Sequence, residues 1–90
     1  MTEEKITLMV RDQIAEALGF PPARIGPDAW LKKDLGAESI DLIDLTFRFE
    51  KALGKPLSEQ EIFRSDRADG DVLVGNIVRA LSLTDSSSPS

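Results

Sequence analysis

Residues 34–54 read DLGAESIDLIDLTFRFEKALG, which is a Leu-Gly turn followed by an amphipathic helix with a serine at its start. The apolar spacing predicts that this helix runs over about 39–53. Ser39 lies between the acids Glu38 and Asp41, at a helix N-terminus where the helix dipole favours a phosphate. The chain contains no histidine, so no Ser-His pair can activate this hydroxyl and any chemistry at Ser39 requires another enzyme.

Length and composition limit the chain to one small acidic domain. It has 90 residues and a formal net charge of −5, which repels nucleic acid and attracts basic protein partners. The absence of cysteine and histidine removes disulfides and the usual zinc ligands, so we expect no metal site. The N-terminal segment is polar and no run approaches 18 apolar residues, which predicts no signal peptide, no membrane insertion and a cytoplasmic location.

The first half of the chain predicts one long helix and one long loop. The helix begins after Thr2 and ends at Gly19, because the following Phe-Pro-Pro cannot continue it. Residues 19–38 then show no sustained periodicity, and loops of this length in compact domains are usually anchored or functional. We expect four apolar residues to pin this loop to the core: Ile25, Trp30, Leu31 and Leu35.

The second half predicts a short helix and a final long helix. Ser58, with a glutamate three positions later, forms a capping box for a short helix over about 58–64. The last helix covers about 71–83, with Asp69 or Asp71 as its cap. These elements predict an all-α bundle of three longer helices and a short third one.

We therefore expect one helical domain at residues 1–83, followed by a disordered polar tail at residues 84–90.

The helix over 39–53 carries two apolar stripes when its residues are placed 100° apart. The core-facing stripe comprises Leu42, Leu45, Phe49, Ala52 and Leu53. The second, on nearly the opposite side, comprises Ile40, Ile43 and Phe47, with Asp41, Asp44 and Glu50 around it. An apolar patch rimmed by charge is typical of a protein-docking site. The alternative is that this second stripe lies beneath the 19–38 loop.

Ser39 also has a simpler interpretation, since serine is a favoured helix N-cap. Two details count against it. With Ser39 as the cap, the third helical position is Leu42, so no capping box forms. A plain cap also has no need of the flanking acids Glu38 and Asp41.

The segment Leu35-Gly36-Ala37-Glu38-Ser39-Ile40-Asp41 resembles the Leu-Gly-Ala-Asp-Ser-Leu-Asp motif of acyl carrier proteins, the phosphopantetheine-binding carrier family. The similarity covers roughly residues 4–83, including helix order and the long first loop. It implies that Ser39 carries a 4′-phosphopantetheine arm, transferred from coenzyme A by a phosphopantetheinyl transferase. It also implies a carrier acted on by partner enzymes, with no catalytic residues of its own.

The resemblance implies partners as well as a cofactor. Acyl-loading enzymes and acyl-transferring or synthase enzymes would use basic docking patches to bind a monomeric carrier. Their contacts would be Glu38, Ile40, Asp41, Ile43, Asp44, Phe47 and Glu50. Departures from the family pattern, such as Arg48 and Lys51 on the same helix, indicate a specialised carrier. The N-terminal Met and the polar tail favour a free-standing one.

Three functions stay open at this point. The first is an acyl carrier for fatty-acid, polyketide or lipid biosynthesis. The second is a peptidyl or D-alanyl carrier, against which the Ala37-Glu38 pair argues mildly. The third is an unmodified helical interaction domain in which Ser39 is only a cap.

Overall fold

The computed structural model describes residues 2–86, and this part of the chain forms four α-helices and one 3₁₀ turn. The α-helices are α1 (Glu3–Leu18), α2 (Ser39–Leu53), α3 (Glu59–Ile62) and α4 (Val74–Ser86), and the 3₁₀ turn is Pro22–Arg24. The prediction of an all-α bundle with a long first loop and a short third helix is confirmed. None of the helices in residues 2–86 is long and apolar enough to cross a membrane.

Local end signals explain the bounds of α1 and α2. The Thr2 hydroxyl oxygen accepts a hydrogen bond from the Lys5 amide at 3.2 Å and caps α1. Gly19 and Gly54 end the two helices in the left-handed conformation, with φ of 80° and 72°. Glycine adopts this conformation without a steric penalty, so both helices stop where the sequence predicts.

The core lies between α1, α2 and α4, with α1 packed against both of the other long helices. Its fully buried side chains are Ile6, Val10, Ile14, Leu31, Leu45, Phe49, Ile77 and Leu81. Of the four loop residues expected to pin the 19–38 segment, Ile25, Leu31 and Leu35 are buried. Trp30 is half-buried instead, and the Arg67 guanidinium lies 4.5 Å from its ring centroid.

Backbone hydrogen bonds fasten the 19–38 loop to the start of α4. The Leu31 amide donates to the Val72 carbonyl at 2.9 Å, and the Val74 amide donates to the Ala29 carbonyl at 3.0 Å. These bonds flank an isolated antiparallel bridge between Trp30 and Leu73. The loop is therefore a fixed part of the domain rather than a loose connection.

The prediction that Asp69 or Asp71 caps the last helix is wrong. Asp71 is only 3% exposed, and its carboxylate accepts hydrogen bonds from the amides of Lys32, Lys33 and Val72 at 2.8, 3.0 and 2.9 Å. Asp69 accepts from the Asp71 amide at 2.9 Å instead. Both carboxylates are engaged in the loops, and α4 begins at Val74.

The other bounds in the second half also shift. The third helix ends at Ile62, two residues earlier than predicted. The Ser58 hydroxyl caps it as expected by accepting from the Glu61 amide at 3.4 Å, but the reciprocal bond from the Ser58 amide to the Glu61 carboxylate is absent from the described residues, so the predicted capping box is only half formed. The fourth helix continues to Ser86. The predicted disordered tail at 84–90 thus overlaps its last turn, and the remainder of that prediction lies outside the described residues.

Candidate functional site

Ser39 is the first residue of α2, one position after the N-cap. Its side chain is exposed, and within residues 2–86 its hydroxyl makes no hydrogen bond. The N-cap is Glu38, which has the extended backbone conformation typical of that position, with φ −109° and ψ 172°. The simpler interpretation of Ser39 as a helix cap is therefore wrong, and its hydroxyl is available for chemistry.

Glu38 and Asp41 form the capping box that Ser39 does not. The Glu38 amide donates to the Asp41 carboxylate at 2.8 Å, and Asp41 is the third helical residue counted from this cap. The prediction of no capping box at the start of α2 is wrong, because the N-cap is Glu38 and not Ser39. The two acids thus have a local structural role, and this role fixes the first turn of α2.

The turn before α2 is held rigidly, which fixes the direction from which Ser39 projects. Gly36 takes a positive φ of 69°, and its amide donates to the Lys32 carbonyl at 2.9 Å. The Ala37 amide then donates to the Leu31 carbonyl at 3.0 Å, with both side chains buried. Since any residue other than glycine is strained at this φ, the Leu-Gly pair serves the geometry of the turn.

A phosphodiester at Ser39 is compatible with its surroundings. The first two amides of α2, at Ser39 and Ile40, have no acceptor among the described residues. Free amides and the positive end of the helix dipole favour an attached phosphate. The residues present therefore fit a phosphopantetheine group joined through the Ser39 oxygen.

The second apolar stripe of α2 is exposed rather than covered by the 19–38 loop. Ile40, Ile43 and Phe47 are 70%, 47% and 64% exposed. The alternative that the loop buries this stripe is therefore wrong. Three neighbouring apolar side chains open to solvent on one helix face have the form of a protein-docking surface.

The four acids predicted to contact partner enzymes have different surroundings. Glu38 and Asp41 lie beside Ser39 in the first turn. Asp44 forms an ion pair with Arg48, with 2.8 Å between Oδ2 and Nε. The half-buried Glu50 accepts a hydrogen bond from the Leu57 amide at 2.8 Å. The structure thus brings only two of the four acids to the serine and engages the others in internal contacts.

Arg48 has a structural role that the sequence analysis missed. Its Nη1 atom lies 3.3 Å from both Glu16 and Gln13 of α1, while its Nε donates to Asp44. The hydrogen bond to Asp44 is the main cause that raises the pKa of Arg48 above its ordinary value. The i,i+4 spacing of Asp44 and Arg48 was a local signal for the first contact. No such signal exists for the contacts to α1.

A groove of about 550 Å³ lies apart from this face, between α3, the following loop and α4. Trp30, Ile62, Arg67, Arg79 and Leu83 are among its lining residues, and none of its lining residues belongs to α2. Within residues 2–86, no cluster of three or more histidine, cysteine, aspartate or glutamate side chains is arranged to hold a metal.

Comparison with known proteins finds a matching family and several similar proteins. The sequence profile of the family described as "Phosphopantetheine attachment site" matches residues 10–68. "Acyl carrier protein 2" of Ralstonia nicotianae is 36% identical over 73 residues, which cover 81% of this chain and 89% of that protein. Two further similar proteins are both called "Acyl carrier protein". That of Thermotoga maritima is 34% identical, and that of Rubrobacter xylanophilus is 31% identical, each over 68% of this chain and 75% of its own length.

Proposed function

This chain belongs to the phosphopantetheine attachment family, and we propose that within it the chain is an acyl carrier whose arm is attached to Ser39. Members of this family are carriers and not enzymes, and their cofactor is phosphopantetheine. When attached, the arm supplies a terminal thiol on which acyl groups are held as thioesters. The chain itself contains no cysteine, so it has no thiol of its own for this purpose.

The observation that carries the proposal is the placement of Ser39 inside the matched segment. Its hydroxyl is exposed at the first position of α2 and makes no hydrogen bond to any residue that the structure describes. The transferase must bring this oxygen to the phosphate of coenzyme A, which a hydroxyl engaged in capping would resist. The capping bond from the Glu38 amide to Asp41 leaves the oxygen free while keeping its turn fixed.

The exposed face of α2 supports the proposal that partner enzymes dock on this helix. Enzymes that load or use the arm would contact Glu38 and Asp41 with cationic side chains and the stripe of Ile40, Ile43 and Phe47 with an apolar surface. We assign the cargo to acyl groups of fatty-acid, polyketide or lipid biosynthesis. A cytoplasmic location and a monomeric state stay predictions.

The test of this function is a comparison of cargoes. The protein is first treated with a broad-specificity phosphopantetheinyl transferase and coenzyme A. It is then offered to a fatty-acyl ligase with ATP and a fatty acid and, separately, to an aminoacyl-adenylate-forming enzyme with ATP and amino acids. An acyl adduct in the intact mass that neutral hydroxylamine removes would support the acyl carrier. An aminoacyl adduct alone would favour the peptidyl or D-alanyl alternative, and failure to gain the arm would favour an interaction domain.

A further inference from the structure

Charge is distributed unevenly along the exposed side of α2. Glu38 and Asp41 lie in the first turn, beside Ser39. Lys51 lies ten residues beyond Asp41, about 15 Å further along the helix axis, and is exposed without an ion pair to any described residue. The neighbouring Glu50 is half-buried and accepts from the Leu57 amide. The exposed side of the helix therefore changes from acidic to basic between its two ends.

Asp44, in the middle of the helix, would extend the acidic end if it were free. Its carboxylate instead lies 2.8 Å from the Nε atom of Arg48. The Arg48 side chain is only 28% exposed and also contacts Glu16 and Gln13 of α1 at 3.3 Å. Because three acceptors on two helices hold this guanidinium, its charge stays next to Asp44 rather than moving through solvent.

We propose that Arg48 is a specificity-determining residue that neutralises Asp44 and so confines the acidic docking signal of α2 to the turn that carries Ser39. This inference rests on the proposed carrier function. It identifies the class of enzyme that this carrier fits. The fitting enzyme has its cations where it meets the Ser39 end of α2, an apolar surface for Phe47, and no cation opposite Lys51.

The consequence for partner choice follows from electrostatics. Charges at the edge of an interface act mainly on association rate and on the exclusion of wrong partners. An enzyme that binds a continuous row of acids along the helix would meet an Asp44 carboxylate that is already paired with Arg48, and then the positive Lys51. Such an enzyme would bind this carrier more slowly than an enzyme that reads the first turn alone.

The test is a double-mutant cycle on arm attachment at low ionic strength, with coenzyme A and a phosphopantetheinyl transferase whose basic docking surface extends along the length of α2 as the probe. The four proteins are the parent, Asp44→Asn, Arg48→Gln and the double variant. We expect Asp44→Asn alone to lower kcat/KM about two- to fivefold, because it removes the carboxylate and leaves the Arg48 charge less compensated. Arg48→Gln should raise kcat/KM about two- to fivefold, and adding Asp44→Asn should remove that gain.

Two further measurements separate this role from a merely structural one. Arg48→Lys retains the positive charge and should keep kcat/KM within about 1.5-fold of the parent. The Arg48→Gln rate should also fall more steeply with added salt than the parent rate, since an extra carboxylate then contributes to docking. Circular dichroism confirms that each variant remains helical.

A double variant whose kcat/KM differs from that of the parent by as much as the Arg48→Gln variant does would overturn the inference, because Arg48 would then not offset Asp44. An unchanged rate for Arg48→Gln would also overturn it. A parent protein that gains no arm at all is a different result, which overturns the proposed function itself.

Discussion

The carboxylate of Asp71 accepts a hydrogen bond from the Lys32 amide at 2.8 Å, across 39 positions of the chain. The same carboxylate accepts from the amides of Lys33 and Val72, so one buried side chain satisfies three backbone donors. It thereby holds the 19–38 loop against the start of α4. This loop leads directly into the turn that presents Ser39, which links the site to the rest of the fold.

Removal of the Asp71 carboxylate should destabilise the domain strongly. Asp71→Ala leaves three amides without their acceptor, and we expect it to lower the free energy of unfolding by about 2–4 kcal/mol. Asp71→Asn keeps one carbonyl oxygen and should cost about 1–2 kcal/mol, which leaves a folded protein to measure. Urea unfolding followed by circular dichroism gives both values.

The matched control is Asp66→Ala, which removes an exposed aspartate from the same loop. It should change the free energy of unfolding by no more than about 0.5 kcal/mol. Similar small changes for Asp66→Ala and Asp71→Ala would contradict the anchoring role of Asp71.

The acid stability of the 64–72 loop should depend on Asp69. The Arg67 guanidinium, hydrogen-bonded to this carboxylate, lowers the pKa of Asp69 from 3.8 to about 2. Because the folded-state pKa lies below the ordinary value, the contact stabilises the fold above about pH 5. This contribution is lost as the pH falls towards about 2. An NMR titration of the Asp69 carboxyl carbon should therefore show a midpoint near 2.

The comparison variant is Arg67→Gln, which removes the guanidinium that causes this shift. The Asp69 midpoint should then return towards 3.8. A midpoint near 3.8 in the parent protein would show that the contact with Arg67 does not hold in solution.

Phe47 and Phe49 lie two positions apart in α2 and should behave oppositely when truncated. Phe49 is fully buried, with its ring centroid 6.5 Å from that of Phe63. Phe49→Ala should therefore lower the free energy of unfolding by about 3–5 kcal/mol. Phe47 is 64% exposed, so Phe47→Ala should cost less than about 1 kcal/mol.

The docking effect of Phe47 is measured separately. With the transferase as partner, Phe47→Ala should lower kcat/KM for arm attachment about fivefold or more, because an apolar contact at the interface is lost. A normal rate for Phe47→Ala, or a destabilisation as large as that of Phe49→Ala, would show that this side chain is not part of a docking face.

Local signals made α1 and α2 predictable. Their ends depend on Thr2, Gly19 and Gly54, which act within one turn of the helix they bound. The start of α4 was less predictable. Aspartate is a common helix-capping residue, but Asp71 instead accepts hydrogen bonds from amides that lie far away in the chain. The spacing of residues along the sequence does not predict such a long-range contact.

The candidate site likewise has some features that local sequence predicts and others that depend on tertiary contacts. The exposed stripe that contains Phe47 follows from the period of the helix and is confirmed. The N-cap was placed one residue late because serine is preferred over glutamate at that position. The engagement of Glu50 with the Leu57 amide, and of Arg48 with α1, depends on tertiary packing and could not be read from α2 alone.

The central claim is that Ser39 accepts the phosphopantetheine arm, and intact mass spectrometry after treatment with transferase and coenzyme A tests it most directly. Ser58→Ala is the matched control, since Ser58 is also an exposed serine at a helix start but serves as the cap of α3. We predict that the parent and Ser58→Ala each gain one phosphopantetheine and that Ser39→Ala gains none. Attachment to Ser39→Ala, or to none of the three proteins, would contradict the claim.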